Sequence, residues 1–564
     1  MTLLPTGLLL AQTEPGLPVP ASPVLVGVMA AYLLVVTLIG VWATRATRSA
    51  DDFFLAGRSI GPVALALSAV AATLSGFTFI GGPGLMWAVG LGALFIILPA
   101  GITNAIGAWT LARRMRLLSE LRGVLTLPEA IGARYRSPEL HALAAVSVLV
   151  AIVGYMATNI LAMGIVLEAV LGTGLVAGIW IGAGVTVLYA AGGGIRAGIW
   201  TDVFQGIVMA VASVLVFGYA LAAGSDASGG VAEGLAGLSR AILDADPGFL
   251  EPWGHLAPTA ALSFLFVFSM GVLGQPHVLH KFYMLRDPRA FRWYPLLSAV
   301  ALCLTVLLFF GVGMAVKALV EGGAMAAPVS ADGTTPRFLL ERTPLLLAAV
   351  VFAGAVAAIM STLNSFMNVG AAALVHDLPE AVGALRRRRR GTGAGNGGAR
   401  AADGPAIGAR EAYAREPDAR ASDTGAGPPE PRRHPALLPR GRVGTVVLTV
   451  LAATVAQVSG TLVAFLGIFG WGLFASTLVP ALAIGLNWSG ATRLGAGLSI
   501  GTGLVGTLAL ETAAWFGWID LPAGIQVAGL MLLLSFAAFF AGSWWTRGRA
   551  ASELDPDLRV LVEG

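Results

Sequence analysis

Apolar runs of 18 residues or more recur along most of this chain, and each is long enough to cross a hydrocarbon core of about 30 Å as a helix. Composition agrees with that reading. Only 12% of the 564 residues are charged and 56% are hydrophobic, against about 25% charged in ordinary soluble domains. The chain therefore reads as an all-α membrane protein. The single cysteine, Cys303, excludes an intrachain disulfide and lies in an apolar run, where it reads as a packing residue.

Thirteen spans can be placed, at roughly 24–43, 62–88, 91–112, 139–170, 174–192, 200–223, 258–275, 294–320, 343–375, 442–458, 462–485, 492–513 and 523–545. If successive loops alternate sides, all but four of the 35 basic residues fall on one face, the exceptions being Arg240, Lys317, Arg337 and Arg342. By the positive-inside rule that face is cytoplasmic, with the N-terminus outside and the C-terminus inside. Trp87, Trp200, Trp253, Trp293, Trp518, Trp544 and Trp545 stand near span ends, as interfacial anchors do. Residues 1–23 read as an extracytoplasmic extension without the basic start of a secretory signal. Residues 546–564 read as a cytoplasmic tail. From 383 to 441, five arginines (Arg386–Arg390) precede a Gly-, Ala- and Pro-rich stretch that cannot bury enough apolar surface to offset its ordering entropy. It reads as a disordered cytoplasmic loop beside the lipid bilayer, not as a nucleic-acid site.

Two spans carry too many helix breakers for simple anchors. The second holds Gly76 and then Gly81-Gly82-Pro83-Gly84; the seventh ends in Gly271-Val-Leu-Gly-Gln-Pro-His277. Proline removes an N–H and glycine lowers the cost of unwinding. Backbone freed in a membrane is tolerated only against protein or a wet cavity. The two spans lie five apart, the spacing of an inverted repeat with a site at its discontinuous helices. The ninth span adds Ser361, Thr362, Asn364, Ser365 and Asn368, of which Ser361, Ser365 and Asn368 share a face. From the residues alone these hydroxyls read as helix packing, the commoner role of membrane Ser and Thr, with ligation of a hard cation as the other reading.

At these residues the chain resembles the sodium/solute symporter family, in motifs closest to its sodium/proline branch. Five motifs fall in order: Asp51-Asp52-Phe-Phe-Leu-Ala-Gly-Arg58; Ser75-Gly76 with Gly82-Pro83-Gly84; Gly192-Gly-Gly-Ile-Arg-Ala-Gly-Ile-Trp-Thr-Asp202-Val-Phe-Gln205; Gly274-Gln-Pro-His-Val-Leu-His-Lys-Phe282; and Met360-Ser-Thr-Leu-Asn364 followed by Asp377-Leu378. The resemblance implies a leucine-transporter-type fold of five plus five inverted-repeat helices, with one helix before (24–43) and two after (492–545). The repeats then span 62–223 and 258–485. It also implies Na+ as the co-transported ion, held by the carbonyls of Ala71, Leu74 and Ala358 and the hydroxyls of Ser361 and Thr362. Ser75, Gly76, Tyr155 and Phe268 match substrate positions. Asp202 matches a residue linked to sodium release, and Arg58 one linked to coupling. Two departures stand out: Thr73 replaces an aspartate of proline-type members, and Phe268 replaces a tryptophan.

The expected function is sodium-coupled symport of a small organic solute, an amino acid such as proline or a small monocarboxylate, across the cell membrane. Proton-coupled or facilitative transport on the same fold is the alternative; it would need a buried carboxylate or histidine, and the broken second span has none. A transporter-like sensor is disfavoured because only about 20 residues follow the last span. A channel lacks a filter or charge ring. An enzyme lacks a catalytic cluster. Gly501-Thr-Gly-Leu-Val-Gly506 reads as helix packing inside an apolar span, and His277 with His280 lacks a third metal ligand.

Overall fold

Every regular element among the described residues is helical. The computed structural model describes residues 22–45, 61–224, 230–284, 292–393, 437–460 and 462–563. The N-terminal extension through residue 21, the Asp51–Arg58 motif with Arg58, and residues 394–436 lie outside them. Among the described residues nine helices are long and apolar enough to cross a membrane, or ten when one bent pair counts as a span.

Helix α1 (Pro23–Arg45) is followed by α2 (Pro62–Thr73), a wide π turn at Phe77–Gly81, and α3 (Gly82–Val89). The chain then runs through α4 (Leu98–Gly107), α5 (Arg113–Arg122) and the short loop helix α6 (Leu127–Tyr135). Two long helices follow, α7 (Pro138–Leu171) and α8 (Leu175–Ala222), then α9 (Val231–Ala245). The second broken element is α10 (Pro258–Gly271) with α11 (Pro276–Leu279). Next come α12 (Tyr294–Glu321), α13 (Thr334–Arg342), α14 (Leu345–Ala372) and α15 (Leu378–Gly393). The chain continues with α16 (Leu437–Val458), α17 (Val463–Leu478), α18 (Arg493–Gly501), α19 (Thr507–Trp515) and α20 (Val527–Trp545).

Four details differ from the sequence reading. The spans expected at 174–192 and 200–223 lie in one helical run, α8, of 48 residues. A straight helix of that length would measure about 72 Å, more than twice the hydrocarbon core. Its first part packs on α7, where Gly178 meets Gly164, and its later part on α14, where Ala212 meets Gly354. The third span is not one α-helix but passes through 3-10, α and π turns between Gly90 and Arg122. The loop expected to be disordered from 383 is helical to Gly393: α15 carries the arginine run, and Arg388 Nη1 bonds Glu139 Oε1 at 2.7 Å. Residues 437–441 likewise belong to α16. Cys303, read as a packing residue, is exposed on α12.

Short connections satisfy the ends of these helices. Thr126 and Glu129 form a reciprocal capping box on α6, the arrangement expected of Thr-x-x-Glu before an apolar run. From α6, Arg134 Nε donates to Gly485 O at 2.6 Å and Tyr135 Oη to Ala481 O at 2.9 Å, pairing carbonyls at the far end of α17. On the other face the segment before α13 covers α3 and α17. A Cβ on Gly84 would lie 2.1 Å from Ala331 O, so only glycine permits the approach. Thr335 Oγ1 donates to Phe79 O at 2.8 Å, and Asp332 Oδ2 accepts from Val463 N, the first residue of α17, at 2.8 Å.

Burial raises the Asp332 carboxyl to about 7, against the downward pull of the Val463 N–H. The folded value exceeds the unfolded one of about 3.9, so the folded state binds the proton more tightly. The stability contributed is full below about pH 4 and is lost as pH rises through about 7. Asp332→Asn keeps an acceptor for Val463 and removes the titration. Its Tm should therefore gain on that of the parent protein between pH 5 and pH 8; a constant offset across that range contradicts the assignment.

Candidate functional site

The second span breaks at Leu74–Ser75, just before Gly76, while Gly81–Gly84 stay helical. Pro83 lies inside the helix that runs on from Gly76 through the π turn, and Phe79 O, four residues before it, accepts instead from Thr335 Oγ1 at 2.8 Å. The break is held locally: Ser75 N donates to Thr78 Oγ1 at 3.3 Å, and Thr78 N to Ser75 O at 2.9 Å. Gly76 N donates to Asn159 Oδ1 on α7 at 2.9 Å. A Cβ on Gly76 would stand 2.5 Å from Ala162 Cβ, so Gly76 serves close packing on α7.

The interrupted helix leaves carbonyls of its last turn unbonded, and α14 meets them. Ser361 Oγ lies 2.7 Å from Ala71 O and 3.0 Å from Ala358 O. Thr362 Oγ1 lies 3.2 Å from Ala72 O, 3.0 Å from Leu74 O and 2.9 Å from Ala358 O. All five residues expected at a cation site thus converge, with Ala72 added. Both hydroxyls are buried. Each has one hydrogen to donate, so two hydrogens face the three carbonyls of the break together with Ala358 O, which also takes its ladder bond within α14. The cage is rich in neutral oxygen and poor in protons, the character of a hard-cation site.

The expected substrate residues lie beside it. Ser75 Oγ and Tyr155 Oη are 3.4 Å apart. Tyr155 packs on Phe366 (centroids 5.0 Å apart) and Trp471 (6.1 Å). Phe268 stacks between Phe77 at 6.0 Å and Trp471 at 5.3 Å. The buried Trp471 Nε1 has no hydrogen-bond partner among the described residues. The second broken helix turns at Gln275, whose φ/ψ of −76°/105° is extended, and bends by 41° there. Gln275 Nε2 donates back to Gly271 O at 3.2 Å, replacing part of the lost ladder.

Asp202 is buried in an ion pair one helical turn from the cage. Lys281 Nζ stands 2.9 Å from Asp202 Oδ2, 2.7 Å from Ser68 Oγ and 2.6 Å from Ser68 O, while Ser68 Oγ donates to Asp202 Oδ2 at 2.7 Å. A crevice beside it is lined by Asp202, His277, Lys281, Asn364 and Asn368. Asp202 Oδ1 has no partner among the described residues.

Sequence reasoning passed over Asn159, Trp471, Ser68, and Lys281 as partner of Asp202. Asn159 was visible as a lone amide in a long apolar span, and Lys281 as one of two lysines in the chain. Trp471 carried no such signal.

Breaking a buried pair leaves a charge uncompensated, at a cost of about 3–5 kcal/mol. Lys281→Met should lower Tm sharply, and adding Asp202→Asn should restore most of the loss. A double variant as unstable as the single one contradicts the pairing.

Residues 53–390 match the sodium:solute symporter family. The sodium/proline symporter of Salmonella typhimurium is 26% identical over 525 residues, covering 89% of this chain and 89% of the relative. The sodium/pantothenate symporter of Escherichia coli is 28% identical over 362 residues, covering 62% and 71%. Among solved structures, a Na+-coupled sialic acid symporter in a substrate-bound outward-open state superposes with a TM-score of 0.68 at 18% identity, covering 94% of this chain and 98% of that one. That likeness establishes a shared transporter fold. The chain belongs to the sodium:solute symporter family, and its co-transported ion is Na+.

Proposed function

We propose that this protein imports a small organic solute by alternating access, driven by Na+ bound at Ala71, Leu74, Ala358, Ser361 and Thr362. The oxygen cage carries the reading: two hydroxyls from α14 stand on the four carbonyls of Ala71, Ala72, Leu74 and Ala358. A monovalent cation suits neutral oxygens, and no carboxylate supplies the cage with a proton-carrying group. Sodium bound there joins the first broken helix to α14. Its binding energy therefore favours the arrangement in which the two helices touch, and differential affinity is what shifts a conformational equilibrium.

The solute site lies at Ser75, Gly76, Tyr155 and Phe268, Gly76 acting through its close packing. The aromatic wall completed by Trp471 suits a compact apolar body, and Ser75, Tyr155 and the Trp471 N–H suit a polar head. An amino acid such as proline or a small monocarboxylate fits that chemistry. Proline and pantothenate are the solutes named for the sequence relatives. On release, the ion passes to the crevice at Asp202, whose free Oδ1 receives it while Lys281 holds Oδ2. The Arg-rich face is cytoplasmic, with the N-terminus outside.

Two measurements test this. Ser361→Ala combined with Thr362→Ala should abolish Na+-stimulated uptake in proteoliposomes while the protein remains monodisperse; undiminished sodium dependence would sink the assignment. In a thermal-shift screen of amino acids, carboxylates, sugars and nucleobases, the transported solute should stabilise the protein only with Na+ present. Equal stabilisation without Na+ would point to a proton-coupled or facilitative carrier.

A further inference from the structure

A second group of polar side chains lies away from the cage, on the face that carries the arginine run. It joins α6, the start of α7, and the π turn Ala373–Asp377 that leads from α14 into α15. His376 Nε2 stands 2.7 Å from Glu129 Oε1 and 3.5 Å from Glu380 Oε2. His141 Nε2 stands 3.3 Å from Asp377 Oδ1, which also accepts from Thr126 Oγ1 at 2.7 Å. One ligand atom from each of Glu129, His376 and Asp377 falls within 4.8 Å of the others.

Charge makes this cluster unusual. Three carboxylates face two imidazoles, and among the described residues no lysine or arginine pairs with Glu129, Asp377 or Glu380. Asp377 is 1% exposed, and its Oδ2 has no hydrogen-bond partner. An unpaired buried carboxylate oxygen is costly. Glu129 Oε2 is already engaged by the N–H groups of Leu125 and Thr126, at 2.6 and 3.2 Å, which fixes the carboxylate and leaves Oε1 directed at His376. The π turn presents His376 and Asp377 side by side, and such turns concentrate at functional sites.

The geometry points to a binding site for a divalent transition-metal ion of the zinc class, with Glu129, His376 and Asp377 as ligands and His141 completing the set. Two imidazoles and two carboxylates are a donor set suited to Zn2+. Ligand atoms on a tetrahedral Zn2+ stand about 3.4 Å apart. The short His376–Glu129 contact therefore opens slightly on binding, and the wider separations close. Two positive charges offset the excess of carboxylate, and the orphaned Asp377 oxygen gains a partner. The ion would tie the loop helix α6 to the α14–α15 junction, elements far apart in sequence, on the face where the Asp202 crevice also lies.

The full chain, purified without a polyhistidine tag and stripped with a chelator, tests the site. Elemental analysis after adding Zn2+ should find about one tightly held ion per chain more than in the His141→Ala/His376→Ala variant. Co2+ in its place should give the visible absorption of a four-coordinate N/O site, lost in that variant. Neither histidine belongs to the sodium cage, so Na+-induced thermal stabilisation should persist in the variant and report intact folding. Equal Zn2+ content in parent and variant overturns the proposal. So does a parent protein that holds no Zn2+ but loses a pH-dependent stability step with His376→Ala, which would make the cluster a protonated-histidine latch. Both readouts are independent of solute transport.

Discussion

The central constraint on this molecule is an interrupted helix inside a membrane. Where α2 stops at Thr73, carbonyls of its last turn lose their ladder partners in a place where water cannot replace them. An unsatisfied backbone group there costs several kcal/mol. The hydroxyls of Ser361 and Thr362 meet that demand, and they can do so only if α14 lies against the break. Much else follows from that contact. Asn159 on α7 receives the Gly76 N–H, and the segment around Asp332 and Thr335 ties the second half of the broken helix to α17.

The same contact is where the proposed Na+ site lies. Two hydroxyl hydrogens are shared among the three carbonyls of the break and Ala358 O, which the ladder of α14 already pairs. The remaining lone pairs face the contact between the broken helix and α14. In the proposed reading, a cation there would be the missing partner of the carbonyls and would join the broken helix to α14.

Much of this was legible in the residues. The breakers at Gly76 and Gln275-Pro276 marked both discontinuous helices, since proline and glycine act locally. Ser361 and Thr362 were visible as adjacent hydroxyls in an apolar span, although only the family resemblance chose between packing and ligation for them. Asp202 was reached through the family signature Gly192–Gln205. Its partner Lys281 was conspicuous in composition, yet 79 residues separate the two, and nothing local pairs them. Other readings failed for the same reason. The arginine run continues helix α15, and its Arg388 meets Glu139 across the fold. Cys303, apolar in context, faces outward.

The sequence by itself determined that this chain lives in a membrane, where its helices break, and which residue types stand at the breaks. Those properties depend on composition and on forces reaching only a turn or two along the backbone. The tertiary structure decided which groups meet: hydroxyls with carbonyls 288 and 290 residues away, Glu129 with His376 across 247, and Trp471 with Phe268. Such pairings depend on how helices pack side by side in lipid, where close fit and mutual satisfaction of polar groups, and not hydrophobicity, select one arrangement.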